Sequence, residues 1–260
     1  MNLAFNPDNP EYLYVNTAKK VDEALDVLEK EPVIGIDIEA TGLDPYTDTL
    51  LLVQIGNETK SFVFDARELD LKPIVRLKAL LENKKKIKLL HNAKFDYKFI
   101  KIQAGARLNN IYDTMLAGAV LTAGLRGKNP SLKELTSEYC GFDMEKNVRK
   151  SFINHTGKIT EAQIKYSSLD TLALFPISKV QLGKLKQESL VQVAKLEFAS
   201  TVVVAEMELR GFLIDVEGWR NVIKNLDKKR QEYAAKFQEM IRPYYNKNSH
   251  DLFGNSVDVM

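Results

Sequence analysis

Three sets of residues in this chain are spaced so that each could meet a partner. Asp37 and Glu39 sit one residue apart in IDIEATGLD, directly after the apolar positions Val33, Ile34 and Ile36. In a strand, residues i and i+2 project to one face, so these two carboxylates would stand side by side and repel each other. A positive charge held between them, or a place at a surface edge, resolves that conflict. Asn92 and Asp96 lie four apart in HNAKFDYKFI, and Tyr166 and Asp170 lie four apart in YSSLD. On a helix, i and i+4 share a face. Taken singly, each set has a plain reading: a solvated strand end, an early-helix acid favoured by the dipole, a half-exposed helix face. Each set comes with apolar neighbours that would place its acid at the rim of a core, and the three occur together in this order. Carboxylates are the ligands that hard divalent cations prefer.

The elements that must position these residues follow from periodicity. TAKKVDEALDVLEK, residues 17–30, has apolar residues at helical spacing, with Thr17 as N-cap and Pro32 beyond its end. Strands are expected at 33–38, 50–56 and 61–65, with turns between them rich in Gly, Asn and Asp. A helix is expected over 71–83. A short strand at 87–90 leads into HNAKFD, the start of another helix. IYD at 111–113 reads as a last short strand, with Asp113 capping TMLAGAVL. Two capping boxes, Ser131 with Glu134 and Thr160 with Gln163, open later helices, the second of which carries YSSLDTLAL. The fold class expected is α/β, a mixed sheet flanked by helices. Beyond about residue 187 no strand signal returns. A long helix there stops at Gly211, and Asp215 caps a second one that runs to about Arg242, before Pro243. The polar tail from Asn246 reads as loosely ordered. The expected organisation is an α/β domain over 1–187 and a helical appendage over 188–260.

Composition narrows the partners only a little. The 260 residues carry 37 Lys and Arg against 35 Asp and Glu, a net charge of +2, which neither demands nor excludes a polyanion. The one cysteine, Cys140, rules out an intrachain disulfide and a cysteine-based zinc site. The N-terminus lacks a basic-then-apolar signal pattern, and no apolar run approaches the roughly 18 residues of a membrane span. An intracellular, cytoplasmic protein with no membrane partner is expected, with a phage or an organelle left open as the source. Lys94, Lys98 and Lys101 either reach phosphates or form a solvated helix face. Lys84–Lys86 with Lys88 read as a solvated turn, and His91 as a packing residue at a strand end.

As a set, these motifs resemble the 3′–5′ exonucleases of the DEDD superfamily, in the branch with a tyrosine in the third motif. D-x-E followed by a small residue and then Thr, Gly and Leu matches Asp37, Glu39, Thr41, Gly42 and Leu43. The second motif matches Asn92 and Asp96, and the third matches Tyr166 and Asp170. DTML at 113–116 and SLKEL at 131–135 resemble connecting segments of the proofreading domain of family A DNA polymerases. The resemblance covers about residues 10–185. Phe95 stands where many relatives have Tyr, and Ala40 where Thr is common. Neither departure removes a carboxylate.

The resemblance implies a ribonuclease H-like fold and hydrolysis of phosphodiesters with two divalent ions, Mg²⁺ or Mn²⁺. A pair of such ions about 3.5–4 Å apart stabilises both the attacking and the leaving oxygen. It implies Asp37, Glu39, Asp96 and Asp170 as ligands, with Asp37 shared between the ions. Tyr166 would orient the attacking water; with an ordinary pKa near 10 it is a poor base. Thr41, Leu43 and Asn92 would hold the terminal nucleotide. MELRGFLID at 207–215 resembles the junction that leads into a polymerase thumb, which favours a single-stranded DNA 3′ end as substrate. A polymerase chain docking on 188–260 is the expected partner. No palm or fingers segment is present in the sequence, so hydrolysis and not synthesis is expected. Two alternatives stay open: an RNA-trimming exonuclease like ribonuclease D, and a non-catalytic structural subunit of a replication complex.

Overall fold

The computed structural model describes residues 3–123, 125, 130–144 and 146–244. The strands are β1 (Glu11–Val15), β2 (Val33–Ala40), β3 (Leu50–Gly56), β4 (Lys60–Asp65), β5 (Ile87–Leu90) and β6 (Ile111–Asp113). The helices are α1 (Ala18–Leu28), α2 (Val75–Glu82), α3 (Ala93–Phe99), α4 (Thr114–Leu121), α5 (Leu132–Cys140), α6 (Lys146–Lys150), α7 (Glu161–Gln187), α8 (Val191–Arg210) and α9 (Val216–Ile241). A π-helical turn, Ile100–Ala104, continues α3. The polar tail expected to be loosely ordered lies outside the described residues.

Among the described residues the strands form one mixed sheet in the order β1-β4-β3-β2-β5-β6. β2, β3 and β4 pair antiparallel, while β1 runs parallel to β4, and β5 and β6 continue parallel to β2. The period-2 alternation of β2 decides what each face of the sheet does. Ile34, Ile36 and Ile38 point into the main core, shared with Leu25 and Leu28 of α1 and with Leu77 and Leu81 of α2. Gly35, Asp37 and Glu39 point the other way, to the face that α7 covers. A Cβ built on Gly35 would lie 2.9 Å from the carbonyl oxygen of Thr171 and 3.0 Å from the ring of Phe175. Gly56, the direct partner of Gly35 across the β2–β3 ladder, would meet the methyl of Thr171 at 3.0 Å. Two glycines side by side thus let the backbone of α7 lie almost on the sheet.

The capping signals place the helices as expected. Ser131 and Thr160 both form reciprocal capping boxes, with Glu134 and Gln163. Asp215 accepts from the Gly218 N–H at 2.9 Å at the start of α9. Several expectations need correction. α2 starts at Val75, four residues later than expected, because Pro73 disfavours helical geometry at Lys72 before it. β1 and α6 were not anticipated. Lys86 and Lys88 are not solvated: they are 6% and 0% exposed, and their ammonium groups donate to the carbonyls of Glu29, Glu31 and Asn83. Burial pushes the Lys88 ammonium down to about 8.

The chain divides into two compact units, Met1–Arg210 and Gly211–Met260. The position near 187 expected to separate domains therefore lies inside the first unit. α8 packs on α3 and α4, burying Ala194, Phe198, Thr201 and Ala205. It ends at Gly211, whose φ of +60° suits a residue without a Cβ. The second unit is described by α9, none of whose residues is buried.

Candidate active site

The two acids of β2 lie at the C-terminal end of that strand, where a bulge shifts the register between Glu39 and Ala40. β5, the parallel neighbour of β2, delivers α3 at the same end. The crevice beyond the carboxyl ends of such strands is where sheets of this kind place their ligands. α7, held against Gly35, supplies Asp170. Oxygen atoms of Asp37, Glu39 and Asp170 lie within 4.8 Å of one another. Glu39 and Asp170 are 8% and 6% exposed, while Asp37 is half-buried and open to solvent.

Asp96 lies outside that trio but near it. It is 2% exposed on α3, and its charge acts on Glu39 and is itself acted on by Asp37. One carboxylate fixes α3 in place. Asp113 accepts from the N–H groups of Asn92 (3.1 Å) and Ala93 (2.8 Å) at the start of α3, and from Met115 (2.8 Å) and Leu116 (3.2 Å) at the start of α4. It thus caps two helices at once, where the sequence pointed to only one. Asn92 adopts the left-handed conformation at φ 62°, so the chain turns sharply from β5 into α3.

The segment after β2 is also braced. The Thr49 N–H donates to the Thr41 hydroxyl at 2.9 Å, so that hydroxyl closes its own loop. Gln103, in the π-helical turn, donates to the carbonyls of Pro45 and Asp48 and accepts from the Leu50 N–H. Leu43, at the loop's tip, is 79% exposed. His91 is a packing residue, as expected: its Nδ1 lies 3.0 Å from the Thr114 hydroxyl, and burial pushes it down to about 4, so it is neutral at neutral pH. Lys94 and Lys98 both pair with Glu208 of α8, and Lys101 pairs with Glu206. Each ammonium group is thus already paired with a carboxylate of α8. These pairs fasten α3 to α8, and Tyr97 adds a 2.5 Å bond to Glu206.

Electrostatics mark this cluster as short of positive charge. Burial pushes Asp37 up to about 7. Burial, with the charges of Asp37 and Asp170 added, raises Glu39 well above the usual carboxylate range; burial and the charge of Asp37 do the same to Asp96 and Asp170. Arg149 on α6 works in the opposite sense on Asp37, Glu39 and Asp170, and the sequence alone did not single it out. Oδ1 of Asp170 is buried without a hydrogen-bond partner. Convergent, desolvated, acceptor-only oxygens with an orphaned lone pair fit divalent cations.

This has a consequence for stability. A carboxyl raised in the folded state binds more protons folded than unfolded, so stability falls as pH rises from the unfolded pKa near 4 through the folded one. In EDTA, the melting temperature should drop between pH 5 and pH 8, because burial disfavours the charged form of each of these carboxylates. Mg²⁺ or Mn²⁺ should restore it at pH 8 and do little at pH 5. A metal-free melting curve that does not vary over this window would contradict the cluster's electrostatics.

Comparison with known proteins agrees with this geometry. The sequence profile of the 3′-5′ exonuclease family matches residues 12–185, and the chain belongs to that family. It is 30% identical over 182 residues to DNA polymerase I of Aquifex aeolicus, a match covering 68% of this chain and 29% of that protein. It is 27% identical over 182 residues to ribonuclease D of Gluconacetobacter diazotrophicus, covering 69% of this chain and 44% of that one. The chain thus spans less than half the length of these curated relatives. Its fold is similar to that of Escherichia coli RNase D, with a TM-score of 0.68 and 19% identity over 82% of this chain and 54% of that one. The mixed sheet flanked by helices is the ribonuclease H-like arrangement that the motifs implied.

Proposed function

We propose that this chain removes nucleotides one at a time from the 3′ ends of single-stranded DNA, as a proofreading-type exonuclease. The observation that carries the proposal is the meeting of Asp37, Glu39 and Asp170 within 4.8 Å at the strand end, with the charge of Asp96 alongside. Divalent ions, Mg²⁺ or Mn²⁺, held by Asp37, Glu39, Asp96 and Asp170, would polarise the phosphate and make water acidic enough to attack it at neutral pH. In the reaction the water oxygen bonds to phosphorus and the bond from phosphorus to the preceding 3′ oxygen breaks. A proton passes to that oxygen, leaving a 5′-mononucleotide and a strand one residue shorter.

The chain's own groups have distinct tasks in this scheme. Asp37, whose charge acts on Glu39, Asp96 and Asp170 alike, would hold the divalent ions together with those three carboxylates. Burial and the charges of Asp170 and Glu39 keep the Tyr166 phenol protonated, so it positions water by a hydrogen bond and does not act as a base. Leu43, an exposed apolar side chain, stacks against the last base, while Thr41 and Asn92 border the terminal nucleotide.

Two features support DNA: the 30% identity to a DNA polymerase I, against 27% to a ribonuclease D over the same length, and the resemblance of residues 207–215 to the junction that leads into a polymerase thumb. The partner expected at residues 188–260 is a polymerase chain. α8 exposes Leu196, Val203 and Met207. Separately, α9 carries Trp219, Ile223, Leu226, Tyr233, Phe237 and Met240, all exposed. Their spacing of three and four, with Arg230 in the one polar position, is that of a coiled-coil seam, suited to a helix of the partner. The test uses matched DNA and RNA single strands, labelled at either end, with Mg²⁺, Mn²⁺ or EDTA. Stepwise shortening of DNA from the 3′ end that stops in EDTA is expected. Preferential shortening of RNA would move the chain to ribonuclease D-like trimming, and inactivity on both would favour a structural subunit.

A further inference from the structure

Among the described residues, one cation beside the acidic cluster is left uncommitted by the fold. It lies on α6, a five-residue helix that is held from two directions. Val148 packs on the apolar cluster of Leu51, Leu52, Val63, Phe152 and Ile164, which also takes the ring of Tyr166. Directly after the helix, Gln163 donates to the hydroxyl of Ser151 at 3.0 Å and to its carbonyl at 3.4 Å. The Asn154 N–H donates to the carbonyl of Thr41 at 3.0 Å. Gln163 lies on α7 one turn before Tyr166, and Thr41 follows Glu39 by two residues. α6 is therefore tied both to the strand end that carries Asp37 and Glu39 and to the helix that carries Tyr166 and Asp170.

Arg149 projects from this anchored helix. It is exposed, and among the described residues its guanidinium has neither a hydrogen-bond nor an ion-pair partner. Its charge nevertheless acts on Asp37, Glu39, Asp170, Tyr166 and His91, residues contributed by three different parts of the fold. The lysines of α3 differ: each is already paired with a glutamate of α8. An arginine kept for stability would be expected in such a pair. A guanidinium held near the acids yet left unpaired is free to meet an incoming anion, and its planar fork matches two oxygens of a phosphate.

We infer that Arg149 is a catalytic residue whose guanidinium contacts the non-bridging oxygens of the 3′-terminal phosphodiester and stabilises the charge that grows there during hydrolysis. The inference rests on the exonuclease reading. The test compares wild type with Arg149→Ala and Arg149→Lys on a 3′-labelled single strand in Mg²⁺. Arg149→Ala should lower kcat by about a hundredfold, with a much smaller change in KM, and Arg149→Lys should recover part of the loss. A second readout needs no substrate. Mn²⁺ titrated into the protein should bind Arg149→Ala more tightly than wild type, because a positive charge beside the carboxylates is gone. Slower hydrolysis with tighter metal binding is the expected signature, and a merely structural arginine would not produce it. An active wild type with Arg149→Ala at the same kcat would overturn the inference and leave the exonuclease reading intact. Weaker Mn²⁺ binding together with slower hydrolysis would also overturn it, as a packing defect. A wild type that leaves every 3′ end intact would remove both.

Discussion

Asp37→Ala is expected to lower hydrolysis by roughly a thousandfold or more while raising the melting temperature of the metal-free chain at pH 8. The two effects have opposite signs for one reason. Asp37 is the member of the cluster whose charge acts on each of the other three carboxylates, so without cations it is the largest single source of repulsion there. Removing it relieves that repulsion and costs little packing, since the side chain is half-buried and faces the rim and not the isoleucine core on the other side of β2. It also removes one of the proposed metal ligands, so Mg²⁺ should no longer raise the melting temperature. Thermal melts in EDTA and in Mg²⁺, run beside the strand-shortening assay, test both halves. A variant that stays active, or one that melts earlier in EDTA than wild type, would refute this account of the cluster.

The acids were legible in the sequence because each sits in a local pattern that fixes its direction. Two acids at i and i+2 after an apolar run share a face of a strand. A tyrosine and an aspartate at i and i+4 share a face of a helix. What brings the faces together was not legible. The approach of α7 to β2 depends on Gly35 and Gly56, which lie 21 residues apart in sequence and meet only through the register of the β2–β3 ladder. The double duty of Asp113 was half legible: its role at α4 follows from the next residues, whereas its bonds to Asn92 and Ala93 span 20 residues or more.

Charge was the hardest feature to read. Lysine runs suggest solvent, yet Lys86 and Lys88 are buried because their stems pack and their ammonium groups find backbone carbonyls left open by neighbouring turns. Lys94, Lys98 and Lys101 looked available for phosphate, but Glu206 and Glu208, more than a hundred residues later, claim them. The same pairing explains why α8 belongs with the first unit: its polar face carries the glutamates and its apolar face carries Phe198 and Ala205. Arg149 went unnoticed because nothing adjacent in sequence marks it. Only the contacts of Val148, Ser151 and Asn154 bring it to the acids.

The distance between α7 and the sheet is the quantity on which both fold and site depend, and Gly35→Val tests it. A branched side chain at Gly35 would have to occupy space where Thr171 and Phe175 already leave a Cβ only 2.9–3.0 Å. The nearest obstacle is the carbonyl oxygen of Thr171, part of the helix backbone, so no rotamer change relieves it. α7 must move outward, at a cost of about 3 kcal/mol, the upper end for overpacking. Asp170 precedes Thr171 and must move with it, away from Asp37 and Glu39. A displacement of about 1 Å at a reacting centre costs on the order of a hundredfold in rate. Gly35→Val should therefore lose stability and activity together, and the loss of activity should persist at temperatures where the variant is fully folded. Gly183→Ala, on the same helix with nothing within 4 Å of the new Cβ, is the matched control and should gain about 0.5–1 kcal/mol from helix propensity with unchanged activity. If Gly35→Val were destabilised yet fully active once folded, the close approach of α7 would matter to the core alone, and the placing of Asp170 would have to come from the capping box at Thr160 and the packing of Ile164 further up the helix.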